Sequence, residues 1–338
     1  MLNPMMCPSH SLLGKMSLDM LKRNVYQSRT SHQKEKNLTE VTEFFLLGFQ
    51  VRQDLRILLF SLLLLVNVCT LYGNLLIITL VSTSKNLQTP MYFFISQLAI
   101  NDILLATDIS PQMLHILLNN GAAITFFKCV AQFFFFCTSE IFECLLLAVM
   151  SYDRYVAICN PLRYFSIITN KYCVILIVIC WLVGFIVVFM DTLSLLMLRF
   201  CEKNTIDHFF CDLVPLLDIA CSGTHFVELE VSILGPPALF IPVIIITVFY
   251  MNIISTIVKI PSNISRQKAF STCSSHLIVV SMFFFSLFVV YVFPTKGQTL
   301  AVNKVLSLLY TVFTPFINPI IYSLRNKDIR KAIKETVF

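Results

Sequence analysis

Met150-Ser-Tyr-Asp-Arg-Tyr-Val-Ala-Ile-Cys159, continued by Asn160-Pro-Leu-Arg-Tyr164, is the stretch on which the reading of this chain turns. An acid, a base and a phenol, Asp153-Arg154-Tyr155, stand at the far end of an apolar run that begins near Phe126. Charges at the mouth of a membrane-length helix are costly unless they pair or snorkel to the interface. Taken alone, the triplet is no more than an ion pair at a helix end. The rest of the chain decides whether it is more.

The 338 residues are 57% hydrophobic and 13% charged, whereas a soluble domain is about 25% charged. Thirty-one Phe and a single Trp add to that bias. Such a composition excludes an ordinary soluble domain and points to a polytopic membrane protein. Crossing a bilayer takes roughly 17 to 25 apolar residues. Seven runs qualify: Ile57–Val81, Met91–Leu118, Thr125–Cys159, Tyr172–Leu198, Val227–Val258, Phe270–Phe293 and Val302–Leu324. Strand-type alternation is absent, so these are read as helices, which satisfy their own backbone in lipid. The expected architecture is an all-α seven-transmembrane helix bundle over 57–324, with tails at 1–56 and 325–338.

An odd number of crossings puts the termini on opposite faces. With a cytoplasmic carboxyl tail, the inner segments hold twelve Lys/Arg and the outer loops five, in line with the positive-inside rule. Residues 1–56 add eight more on the outer side, against that rule. Asn37-Leu-Thr39 is a glycosylation sequon that is usable only if the amino terminus faces the lumen. A second match, Asn263-Ile-Ser265, falls in an expected cytoplasmic loop and should stay bare. Met1–Lys36 is polar and lacks an h-region, so the first span is read as an uncleaved anchor in a plasma-membrane, multi-pass protein.

The longest outer loop carries Cys201, Cys211 and Cys221, and Cys129 opens the third span. Four cysteines on one oxidising face allow three disulfide connectivities. A zinc site built with His208 lacks a cluster of suitable spacing. Within the spans, Asp102 and Glu143 lie at similar depth, and Glu140 shares a face of the third helix with Glu143 at i, i+3. Glu143 is eleven residues before Arg154, about 16 Å along the axis. Two such acids can share a proton or hold a cation with oxygen ligands. Asp108 is also unusual and receives no role.

The last span ends in Pro315-Phe-Ile-Asn318-Pro319-Ile-Ile-Tyr322-Ser-Leu-Arg-Asn326, where proline removes a backbone donor and makes a hinge. The sixth opens with Lys268-Ala-Phe-Ser-Thr-Cys-Ser-Ser-His276-Leu277, and Tyr250 lies eight residues after Pro242 in the fifth. Thr89-Pro-Met-Tyr92 starts the second, and Gly73-Asn74 in the first allows close approach and an interior hydrogen bond. Together with the Asp153-Arg154-Tyr155 string, these motifs resemble the odorant receptors, a branch of the rhodopsin-like (class A) G-protein-coupled receptors. The resemblance spans Asn37 to Asn326. Three departures stand out: Phe283-Phe284-Phe285 where Phe-Tyr-Gly is usual, Gln112 where lysine is usual, and Ser151 for the commoner alanine.

The resemblance implies bonds Cys129–Cys211 and Cys201–Cys221. It implies an allosteric sodium site at Asp102 and Glu143 with Asn318, and no other cofactor. An odorant pocket would be lined by Phe136, Cys137, Glu140, Ile141, Leu234, Ala238, Phe288, Tyr291, Leu308 and Thr311. Such a pocket is mostly apolar with few polar groups, as small hydrophobic ligands require. Coupling would fall to Asp153, Arg154, Tyr155, Tyr250, Asn318, Pro319 and Tyr322. The implied partners are a small volatile ligand, membrane lipid and a heterotrimeric G protein of the stimulatory olfactory type that raises cyclic AMP. Nucleic acid is not among them.

Other classes fit less well. An amine receptor of another branch would place an aspartate at Phe136. A transporter would show inverted repeats or broken helices in both halves. A membrane enzyme would cluster metal ligands or set a nucleophile beside its base, yet His115 and His276 lie at opposite membrane faces. The expectation is a receptor, not an enzyme.

Overall fold

A computed structural model describes residues 41–201, 203–291 and 300–337 of the chain. Asn37 lies outside the described residues. Seven long helices follow the apolar runs: α1 Gln53–Thr83, α2 Pro90–Asn119, α3 Phe126–Cys159, α4 Asn170–Leu196, α5 Thr224–Val258 and α6 Asn263–Tyr291. The seventh, α7, runs Leu300–Leu308, passes through a π turn at Leu309–Phe313 and continues Thr314–Arg325. A final helix, α8, spans Lys327–Val337.

Most helix ends fall within a few residues of the hydropathy boundaries. The exception is α6, which begins at Asn263, seven residues before the apolar run starts at Phe270. Its polar first turns extend the helix past the apolar length, which leaves only a short connection after Val258. Asn263, expected in a loop, is the first residue of that helix.

Helix α3 is the central strut and packs against α2, α4 and α5. The chain's lone Trp181 stacks on Phe142 at 4.0 Å between ring centres, joining α4 to α3. Helix α1 meets α7 where Gly73 faces Pro319, and a Cβ at Gly73 would lie 3.2 Å from the proline ring. Asn74 Nδ2 donates to the Pro315 carbonyl at 3.1 Å. That carbonyl is four residues before Pro319, whose missing N–H leaves it without an intrahelical donor. The hydrogen bond α7 lacks is thus supplied by α1.

Short strands cap the end of the bundle that carries the disulfides. β1 (Glu43–Leu46) pairs antiparallel with β2 (Ala122–Thr125) and parallel with β4 (Thr205–Ile206). β3 (Arg199–Phe200) pairs antiparallel with β5 (Ala220–Ser222). Alternation in β1 turns Phe44 and Leu46 inward, and the Phe44 and Phe200 rings meet edge-on at 5.0 Å. The stretch from residue 41 therefore joins the cap. Gly48 ends this segment at φ +61°, where a Cβ would come 2.2 Å from Ile116 Cγ2.

Candidate functional site

The disulfide end is closed by the long loop between α4 and α5. Cys129–Cys211 ties that loop to the start of α3, and Cys201–Cys221 closes the loop on itself. Gln132, one turn along α3, accepts from the Cys211 N–H at 2.9 Å and donates to the Asp108 carbonyl of α2 at 3.1 Å. The loop's His208, Phe209 and Phe210 turn inward and are buried together, their ring centres 4.6–5.0 Å apart. Phe49 stacks on Phe209 at 5.4 Å. These rings form a lid.

Lys304 of α7 fastens the lid. Its ammonium, 5% exposed, donates to the Gly48 carbonyl at 2.7 Å and pairs with the Asp207 carboxylate. One cation thus joins the amino-terminal segment, the loop and α7. Burial and the neighbouring Lys304 charge push the His208 imidazole down to about 3, so it is neutral. Asp212 caps the loop's short helix Leu213–Ile219 by accepting from the Leu213 N–H at 2.8 Å. Burial raises its carboxyl to about 6, against the pull of that hydrogen bond.

Beneath the lid, the Phe136 ring of α3 packs at 4.9 Å from Phe210 and 6.0 Å from Tyr310 of α7. Leu308 and Thr311 are buried, the Thr311 hydroxyl bonding back to the Ser307 carbonyl at 2.7 Å. Glu140 is 9% exposed, and neither of its carboxylate oxygens has a hydrogen-bond partner. Cys137, Ile141, Leu234 and Ala238 are half-buried. Phe288 is 40% exposed and lines an apolar cleft of about 290 Å³ between α5 and α6, with Leu239, Phe240, Val243, Phe284 and Phe285. The side chain of Tyr291 lies outside the described residues.

Deeper in the bundle, Asn318 Nδ2 donates to both Asp102 oxygens, at 3.1 and 3.2 Å. Glu143 Oε2 accepts from Asn101 Nδ2 at 3.3 Å. Glu143 Oε1 and Asn101 Oδ1 are buried without partners. Two carboxylates and an orphaned amide oxygen make an all-oxygen donor set suited to a small hard cation.

At the opposite end, Asp153 lies 3.9 Å from Arg154, which is 7% exposed. Tyr164, in the short helix Tyr164–Ile167, donates to Asp153 at 2.7 Å. Burial and that carboxylate raise the Tyr164 phenol above its usual range. Tyr250 is not on Arg154: its hydroxyl meets His276 Nδ1 of α6 at 2.6 Å. Tyr155 packs on Phe249 at 5.1 Å, and Tyr322 has a buried hydroxyl without a partner. Tyr92, at the start of α2, donates to Asp328 and Asn326, tying α8 beneath the bundle.

The family pattern of the olfactory receptors matches residues 60–338. The chain is 42% identical to olfactory receptor-like protein I9 of Rattus norvegicus, over 89% of this chain and 96% of that protein. It is 45% identical to human olfactory receptor 2D2, over 88% and 96%. The chain belongs to the olfactory receptor family. Its fold is that of squid rhodopsin, with a TM-score of 0.68 at 20% identity over 85% of this chain and 82% of that structure. The receptor is thus a multi-pass, rhodopsin-like seven-helix protein of a G-protein-coupled receptor family, and not an enzyme.

Three features of the receptor escaped the sequence reading. Lys304 is one of the five bases the sequence places in outer loops, His208 suggests no more than a zinc ligand there, and Gln132 carries no local signal. The signal available was His208-Phe209-Phe210 beside Cys211, since a bond at Cys211 carries its neighbours into the bundle.

Proposed function

We propose that this receptor binds a small, volatile, largely apolar molecule in the chamber beneath the lid and passes the signal to a heterotrimeric G protein at the Arg154 end. The carrying observation is the division of the molecule: a covalently anchored loop turns its rings into the bundle at one end, and Asp153-Arg154 is held by exchangeable contacts at the other. The disulfide end faces outside, with Asn37 glycosylated there, and α8 lies on the cytoplasmic face of the plasma membrane. Ligand entry favours one conformation by its differential affinity, and shifts the population accordingly. The end of α6 then moves away, Tyr250 leaves His276 for Arg154, Tyr322 swings at the Pro319 hinge, and the freed arginine meets a stimulatory G protein that raises cyclic AMP.

Asp102, Glu143 and Asn318 would hold a sodium ion, which supplies charge compensation for the two acids. Asn101 steadies Glu143 from the side.

The test is ligand-evoked cyclic AMP in cells expressing the receptor. Arg154→Ala abolishes the response while surface labelling persists. A mutant that signals normally would sink the coupling role.

A further inference from the structure

We propose that Glu140 is the counter-ion for an ammonium group, and that the ligand class of this receptor is the small alkylamines. The inference deepens the odorant-binding reading and rests on it.

Glu140 stands on α3 one turn deeper than Phe136, on the same face. It is nine-tenths buried, and both carboxylate oxygens lack a partner. A carboxyl group in apolar surroundings without a partner is costly, and the protein supplies none among the described residues. Asp102 and Glu143 differ in this respect, since Asp102 accepts from Asn318 and Glu143 from Asn101, and Asp108 and Asp191, each with one unpartnered oxygen, are only half-buried. The Lys304 ammonium is already engaged by Gly48 and Asp207.

The surrounding field has one sign. The ionisable groups that act on Glu140 are Glu143 and Asp212, and those that act on Cys137 are Asp212, Asp191, Glu140 and Asp108. All of these are acids. A neutral alcohol can donate to one oxygen of Glu140 and leaves the field uncompensated. A primary ammonium brings up to three donors and a positive charge. The Phe136 ring, one turn away on the same face of α3 and packed 6.0 Å from Tyr310, supplies aromatic surface of a kind that attracts cations.

The test compares matched probes on cells expressing the full-length receptor: pentylamine, cyclohexylamine and N,N-dimethylcyclohexylamine against pentanol, cyclohexanol and 2-heptanone. Responses are normalised to surface-labelled receptor. The amines are expected to act at about tenfold or more lower concentration than the alcohols. Glu140→Gln should shift the amine curves by about tenfold or more and the neutral-probe curves by clearly less, with Glu140→Asp intermediate for the amines. Alcohols or the ketone acting as strongly as the amines, or an unshifted Glu140→Gln curve, overturns the assignment while leaving odorant binding intact. Where signalling is silent throughout, purified receptor decides: an amine-specific rise in Tm lost in Glu140→Gln supports the proposal, and no such rise overturns it. A rise produced through Glu140 by sodium alone, in place of choline, marks an inorganic cation site and also overturns it. Absence of any response or Tm shift with all six probes counts against the odorant reading as well.

Discussion

The two ends of this bundle are fastened by different kinds of contact. At the disulfide end, two covalent bonds, a three-stranded sheet and the buried Lys304–Asp207 pair hold one loop in one place. At the Arg154 end, the working side chains make few contacts, each open to exchange: Asp153 with Arg154 and Tyr164, Tyr250 with His276. Bonds of the first kind give shape, because breaking any of them leaves buried groups unsatisfied. Contacts of the second kind can be exchanged at little net cost, which a two-state element requires. The contrast is what the proposed division of labour rests on, with recognition at the rigid end and response at the exchangeable one.

The contrast can be broken most severely at Cys211. Cys211→Ser removes a link that closes 82 residues, worth about 4 kcal/mol in chain entropy, against about 3 kcal/mol for a loop of some twenty residues. Surface expression should therefore fall further in Cys211→Ser than in Cys221→Ser. Equal losses would mean that the long-range link matters no more than the local one.

Next comes the fastening at Lys304. Lys304→Met strips donors from the Gly48 carbonyl and from Asp207, which is one-third exposed, and should cost about 2 kcal/mol. Asp207→Asn in the same background should cost less than it does alone, since paired groups are non-additive. Additive Tm losses in purified receptor would show the pair to be incidental.

The pH response follows from His208, whose imidazole is depressed from 6.5 to about 3 by burial and Lys304. The closed lid holds the neutral ring, whereas the opened loop takes up a proton below about 6.5. Lid stability is thus complete above that value, falls by about 1.4 kcal/mol per pH unit as pH drops towards about 3, and levels below it. The protection factors of the Phe209 and Phe210 amides, that is exchange relative to the intrinsic rate at each pH, should fall on acidification in the wild type and lose that dependence in His208→Phe. An unchanged slope would remove His208 from the lid.

The smallest effect belongs to the exchangeable end. His276→Leu deletes the partner of Tyr250, about 1 kcal/mol, and should raise ligand-independent cyclic AMP about fivefold. A basal level that does not move would mean that this contact does not oppose the active arrangement.

How much was legible follows from the range of each signal. The seven spans were readable because hydropathy is a local property, and apolar length is set by the bilayer. Gly73 and Asn74 were readable because a small residue beside an amide implies close approach. The cap was not. Its strands are two to four residues long, and β1 pairs with segments about 80 and 160 positions away, so no window along the chain contains the pattern. The π turn at Leu309–Phe313 left no mark beyond the prolines that follow it. At the site, the acids were found by their cost in hydrocarbon. The lid residues were missed because His, Phe and Lys in a polar loop look like solvent-facing residues until the bond at Cys211 is drawn.

The hydrogen bond from Asn74 to Pro315 has a mechanical meaning. Because α7 borrows that bond from a neighbour, flexing at Pro319 need not sever any link of its own ladder at that level. The joint behaves as a door hung on a post: α1 is the post, and Gly73 is the clearance that lets the hinge plate sit flush against it. Thickening the plate at Gly73 would stiffen the swing without touching either Glu140 or Arg154.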